Sequence, residues 1–98
     1  MTSAEKRLAR ARRIRHHQAQ ILEQLREGEI LIKRVIERPG DAAARLTVHV
    51  LLTNTKHIGE RGAEHICKRA DVWPTHRLSE LSEKERADLV DALPPRAR

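Results

Sequence analysis

Six cations crowd the stretch from residue 6 to residue 15: Lys6, Arg7, Arg10, Arg12, Arg13 and Arg15, with no acid between them. Arg7, Arg10 and Arg13 fall at i, i+3 and i+6, one stripe of a helix, while Arg12 and Arg15 lie round the cylinder. A guanidinium presents a rigid fork of donors that matches the two oxygens of a phosphate. The chemistry of this run is therefore anion binding along an extended backbone. A solvated helix face is the ordinary fate of a charge run, but six cations without an interleaved acid favour binding.

A second candidate set lies in Leu51–Cys67, around the sequence Lys56-His57-Ile58-Gly59-Glu60-Arg61-Gly62. Gly59 stands where a turn enters a helix, and without a Cβ it can take positive φ and let another backbone approach. The first amides of the following helix lack intrahelical partners, and the helix dipole favours an anion there. A phosphate oxygen meets both needs. Lys56, His57 and Arg61 add charge around Gly59 and Gly62, while Glu60 opposes it. Gly59 as a plain helix-boundary glycine is the competing reading.

Other reactive residues form no pattern. His57, His65, Cys67 and His76 match no zinc spacing, and His16 and His17 point in different directions on a helix. A lone cysteine reads as a small buried hydrophobe. Ser3, Ser79 and Ser82 fit caps and turns. No nucleophile elbow, P-loop or carboxylate pair stands out, so neither an enzyme nor a cofactor is expected.

The elements that hold these residues are helical. The chain has 98 residues, 39% hydrophobic and 35% charged, with Trp73 its one aromatic among Phe, Trp and Tyr. An aliphatic core of that kind suits packed helices better than a sheet. Thr2 and Glu5 read as a capping box for a helix from Ala4 to about Glu27. Its apolar positions Leu8, Ala11, Ile14, Ile21, Leu22 and Leu25 recur every three or four residues, with a break at Gln18. The first half, to His17, is expected to project. Gly28 ends or bends it.

A second helix is expected over Glu29–Arg38, stopped by Pro39-Gly40. Asp41 is expected to cap a short helix from Ala42 to Leu46. Val48–Leu52 reads as a short buried helix, Asn54–His57 as a turn, and Glu60 to Ala70 as a helix. Asp71–Leu81 is a linker containing Trp73-Pro74. Ser82 and Glu85 form a capping box for a last helix, Glu83–Leu93, and the tail after Pro94-Pro95 is expected to fray. The division is a basic N-terminal helix (1–27) and a small helical domain (28–98).

Net charge is +6, and residues 1–26 hold +5 of it. A neutral body with a basic arm implies a polyanionic partner. Nucleic acid is the commonest; a membrane surface fits poorly, because the arm's apolar face is mostly alanine without Trp or Phe. One cysteine agrees with a reducing cytoplasm. No leftover apolar face stands out, so a monomer is expected.

From about Leu25 to Leu93 the chain resembles the actinobacterial type of integration host factor, a small nucleoid protein. Val48–Leu52 matches the first helix of that family's helix-two-turn-helix module. Ile58–Ile66 matches its glycine hairpin and second helix, Pro74–Leu78 its basic loop, and Ser82–Leu93 its closing helix. The resemblance implies an all-α fold, a nucleoid location, and no cofactor. It also implies sequence-tolerant binding of double-stranded DNA, with bending, compaction and support of site-specific recombination. It makes Gly59 and Arg61 hairpin contacts and Arg77 a loop contact. The sequence departs in having Arg77 as the one clear loop arginine and Glu60 in the hairpin, which shifts weight to the arm; such divergence would suit a phage-borne or accessory copy.

The module also resembles a ribosomal protein of the small-subunit head, which makes RNA the second partner. That family carries its basic tail at the other end. DNA glycosylases with this module need an N-terminal catalytic residue and a zinc ribbon, against which stand Thr2 and the single Cys67. A third reading is a helical protein-interaction module, opposed by the broken register at Gln18.

Overall fold

The computed structural model describes residues 2–98, and its helices pack in one core without a β-strand among them. α1 spans Ser3–Glu27, α2 Ile32–Glu37, α3 Gly40–Ala44, α4 Val48–Thr53, α5 Gly59–Ala70 and α6 Glu83–Asp91. Short 3-10 turns cover Leu78–Glu80 and Pro95–Ala97. This is the all-α arrangement expected, a long basic helix followed by a small helical domain.

α1 forms because Ser3–Glu27 contains no Gly or Pro and is dense in Ala, Arg, Leu and Gln. Thr2 Oγ1 accepts from the Glu5 amide at 3.2 Å. The reciprocal half of the expected capping box does not form, so Glu5 contributes only as an acid in the first turn. Gly28 ends the helix at φ 74°, its N–H reaching the carbonyls of Gln24 and Leu25. Glu29 N–H then bonds Gln24 O at 2.9 Å, which closes a Schellman-type end.

That closure uses up the residues expected to start the next helix. Glu29 to Leu31 are extended or turning, and α2 begins at Ile32. Pro39 caps α3 and Gly40 opens it, without a side-chain bond from Asp41. Asp41 instead pairs with Arg45 at 3.5 Å and Arg10 at 3.9 Å. The expectation that Asp41 is an N-cap was wrong because Pro39 can start a turn without a side-chain acceptor.

The core collects Leu25, Ile32 and Ile36, then Leu51 and Leu52 from α4, Ala63 and Ile66 from α5, and Leu78 and Leu89 beyond. The small residues Ala63, Cys67 and Ala70 lie on one face of α5 at i, i+4 and i+7. They let α5 sit close against its neighbours α4 and α6. Ser82 and Glu85 form both halves of the expected capping box, at 3.1 and 3.0 Å. α6 ends at Asp91, two residues early. The tail is docked rather than frayed: Ala97 is buried, and Arg98 donates to the carbonyls of Leu93 (3.2 Å) and Asp91 (2.9 Å). These bonds satisfy orphan carbonyls at the end of α6.

Only Leu25 of α1 is buried, with Ile21 and Leu22 packed against the core. The helix is about 38 Å long at 1.5 Å per residue. Its first turns extend past the body, giving principal extents of 47 × 27 × 20 Å. The radius of gyration, 14.1 Å, exceeds the roughly 13 Å of a compact chain of 100 residues. No described helix is long and apolar enough to cross a membrane.

Candidate nucleic-acid interface

The arm positions its cations by helix geometry alone. Lys6, Arg7, Arg10, Arg12, Arg13 and Arg15 are all exposed. Among the described residues, Arg10 is the one of the six in an ion pair. That pair with Asp41 is loose at 3.9 Å, with the two side chains 67% and 62% exposed, so solvent screens it heavily. Gln18, which breaks the apolar register, anchors the helix instead, because its Nε2 donates to Ala42 O at 3.2 Å. The arm is therefore tied to α3 at its middle and free at its start.

The second site is the turn joining α4 to α5. Thr55 Oγ1 donates to Leu51 O at 2.7 Å, closing the end of α4 beneath the turn. His57 then adopts φ 73° and Gly59 φ 66° on either side of Ile58, which is buried. A non-glycine residue in that region costs roughly 1–2 kcal/mol, so His57 stores strain in the turn. Nothing lies within 4 Å of where a Gly59 Cβ would be. Glycine is thus favoured at 59 by its φ, and the space in front of it is open to a ligand. No side chain caps the first turn of α5, which leaves its amides available. Lys56, His57, Glu60 and Arg61 are exposed around this spot. Gly62 is different: a Cβ there would meet Ile58 Cγ2 at 3.1 Å, so Gly62 makes room for the Ile58 anchor.

The third position, Arg77, sits at the opposite end of α4. Its backbone bridges Thr47, the N-cap of α4. His76 O and Pro74 O accept from the amides of Val48 and His49, at 2.9 Å each, so the loop caps α4 from outside. Leu78 N–H bonds Leu46 O at 3.1 Å beside it. Arg45, exposed next to this crossing, is a candidate cation that sequence reading missed. Its neighbourhood depends on a long-range bridge with no local signal.

Two contacts link the arm's base to the turn. Lys56 N–H donates to Leu25 O at 3.0 Å, and Arg26 Nη1 donates to Asn54 Oδ1 at 2.8 Å. The arm cations lie 10–19 residues along α1 from Leu25, roughly 15–29 Å. The structure therefore presents three cationic spots at separate places. Burial pushes the Cys67 thiol up from its ordinary value, which keeps it protonated and inert as an apolar packing residue.

A long helix leading into a small helical domain, with a two-turn joint between its central helices, defines a helix-two-turn-helix fold. The chain matches the solved structure of sIHF bound to an 8-base-pair palindromic DNA, with a TM-score of 0.71 and 22% identity over 83% of this chain and 93% of that one. No protein-family model matches the chain, and no curated protein does. The chain therefore shares the fold of sIHF.

Proposed function

We propose that this chain binds double-stranded DNA through its phosphates, as a monomer and without catalysis or cofactor. The observation that carries this reading is the run of exposed cations at Lys6, Arg7, Arg12, Arg13 and Arg15, none of which is in an ion pair among the described residues. A fold shared with a protein solved on DNA supports it. The open, uncapped start of α5 at Gly59 supplies a second grip and Arg77 a third, and Gly62 shapes the turn. Grips at separate places would bend a duplex or join two segments, a nucleoid-type architectural role in the cytoplasm that would also serve site-specific recombination. The division of labour follows 1–27 and 28–98, and the chain would be a divergent or phage-borne member of the actinobacterial-type integration host factors. RNA is the weaker partner: with Trp73 alone there is no platform for stacking several bases.

Fluorescence anisotropy on a roughly 20-base-pair DNA duplex and a matched RNA duplex, across salt concentrations, tests the reading. Affinity for DNA should fall with a log–log slope of roughly −4 to −7, at about −0.9 per phosphate contacted. Preference for RNA would favour a ribosomal-type role, and no binding at low salt would end the nucleic-acid reading. Gly59→Asp and Gly59→Asn isolate the second grip, since both side chains tolerate positive φ and only Asp adds an anion. The Asp variant should bind at least about tenfold more weakly than the Asn variant, about 1.4 kcal/mol. Equal affinities would remove the turn from the account.

A further inference from the structure

The side of the molecule formed by α5 and the loop after it has the opposite character to the arm. A cleft of about 780 Å³ opens there, floored by Ala63, Cys67 and Val72. Trp73 stands at its edge, 69% exposed. Glu60, Glu64 and Asp71 rim it, against Lys68 as the one Lys or Arg, which is already paired with Glu64 at 3.3 Å. An exposed Trp over an apolar floor is the usual anchor of an interface. In a chain of net charge +6, an acidic rim selects a cationic occupant.

The arm supplies a matching surface. Residues turn by about 100° each along a helix, so Leu8, Arg12 and Arg15 share one face within about 60°. Lys6, Arg10 and Arg13 occupy the opposite face. Leu8 is apolar yet 49% exposed, an aliphatic knob flanked by two guanidiniums. The arm is one uninterrupted helix, held to its own body by Gln18 on Ala42 and by Arg26 on Asn54. It cannot fold back, so the occupant comes from another molecule.

We propose that the Trp73 cleft receives the Leu8–Arg12–Arg15 face of the arm of a second copy of this chain. Leu8 packs on Trp73, and Arg12 and Arg15 meet Glu60, Glu64 and Asp71. The mode is a helix laid in a groove. Because the two surfaces differ, the contact is head-to-tail and propagates into open rows. One helix face in one cleft buries less than a stable dimer needs, so the free chain stays monomeric when dilute. The contact forms between copies brought close on a shared duplex, where Arg12 and Arg15 exchange phosphates for the acidic rim and Lys6, Arg7, Arg10 and Arg13, off that face, stay on the duplex. That last role rests on the proposed DNA binding; the contact itself does not.

Trp73, as the sole tryptophan, reports on the cleft directly. Full-length protein is followed by Trp73 emission and by sedimentation equilibrium up to about 1 mM, a concentration that populates contacts of about −4 kcal/mol. Emission should move to shorter wavelength and mass should rise together with concentration. Glu64→Lys and Arg12→Glu should each weaken this at least tenfold, and an equimolar mixture of the two should regain it. Emission and mass that stay constant, or variants that associate like wild type, would overturn the proposal. Anisotropy on a duplex short enough for one copy separates the two ideas. Glu64→Lys should bind it no more weakly than wild type, and failure of wild type to bind it removes the DNA reading while leaving the contact standing.

Discussion

The two halves of this molecule fold for different reasons. The first turns of α1 are helical by local propensity, and almost nothing packs on them. The module from Thr47 to Leu93 is held by long-range contacts: Lys56 on Leu25, the loop carbonyls on the start of α4, and α5 between α4 and α6. Charge follows the same division, with the arm cations solvated and the module nearly neutral. The contrast shows how a chain this short can carry a dense cation cluster. Repulsion among the arginines is kept away from the core, where it would oppose packing.

Core and arm substitutions should therefore separate cleanly. Leu25→Ala removes a fully buried side chain at the junction of α1 with the core. It should cost about 2–5 kcal/mol of unfolding free energy, measured by chemical denaturation. Leu8→Ala, on the same helix, should cost less than about 0.5 kcal/mol. Similar losses at both sites would mean that the arm is packed in solution.

Next in size, replacing Arg7, Arg12 and Arg13 by Ala should lower DNA affinity by about two orders of magnitude near 0.1 M salt and flatten the salt slope by about 3. Thermal stability should hold, because Ala is a better helix former than Arg. A fall in melting temperature without a change in slope would reverse the roles of arm and body.

The smallest expected effect sharpens the contrast from the module's side. Ser82→Ala removes the capping bond at the start of α6 and should cost about 1 kcal/mol. The Glu85 carboxylate accepts from Ser82 N–H, which lowers its pKa below the ordinary glutamate value, and the Ser82 side chain, lost in Ser82→Ala, lowers it further. A lowered folded pKa means that this stability is present at neutral pH and is lost as the pH falls through the carboxylate range. The loss between pH 6 and pH 3 should be smaller in Ser82→Ala than in wild type, as read by melting temperatures across that range. Identical pH profiles would leave the cap without an electrostatic part.

Legibility in the sequence followed the reach of the interaction. The start of α1, its end at Gly28, the capping box at Ser82 and the periodic face of α5 are set by neighbours within four residues, and each is readable. Asp41, Gln18, Arg26 and Arg98 are not readable. A polar residue on a surface helix carries no local mark of the partner it will meet 24 to 31 residues away, as Gln18 meets Ala42, Arg26 meets Asn54 and Asp41 meets Arg10. Arg98 turns back onto carbonyls five and seven residues earlier only because the tail docks. The exposure of the six arm cations is legible from residue type alone. The open space at Gly59 and the separation of Arg77 from it needed the fold, because both depend on which end of α4 each loop caps.

The joint at the base of α1 has a mechanical consequence. Lys56 N–H holds Leu25 O, and the Lys56 side chain fills the space where a Cβ on Gly28 would stand, 3.1 Å from Cδ. Helix end and turn therefore pivot as one piece. A tilt of about 10° imposed where the turn seats on a ligand would sweep the far end of the roughly 38 Å rod through about 7 Å. That travel is close to the rise of two base pairs, so under the proposed DNA binding a slight rocking of the turn would decide which phosphates the distant arginines reach.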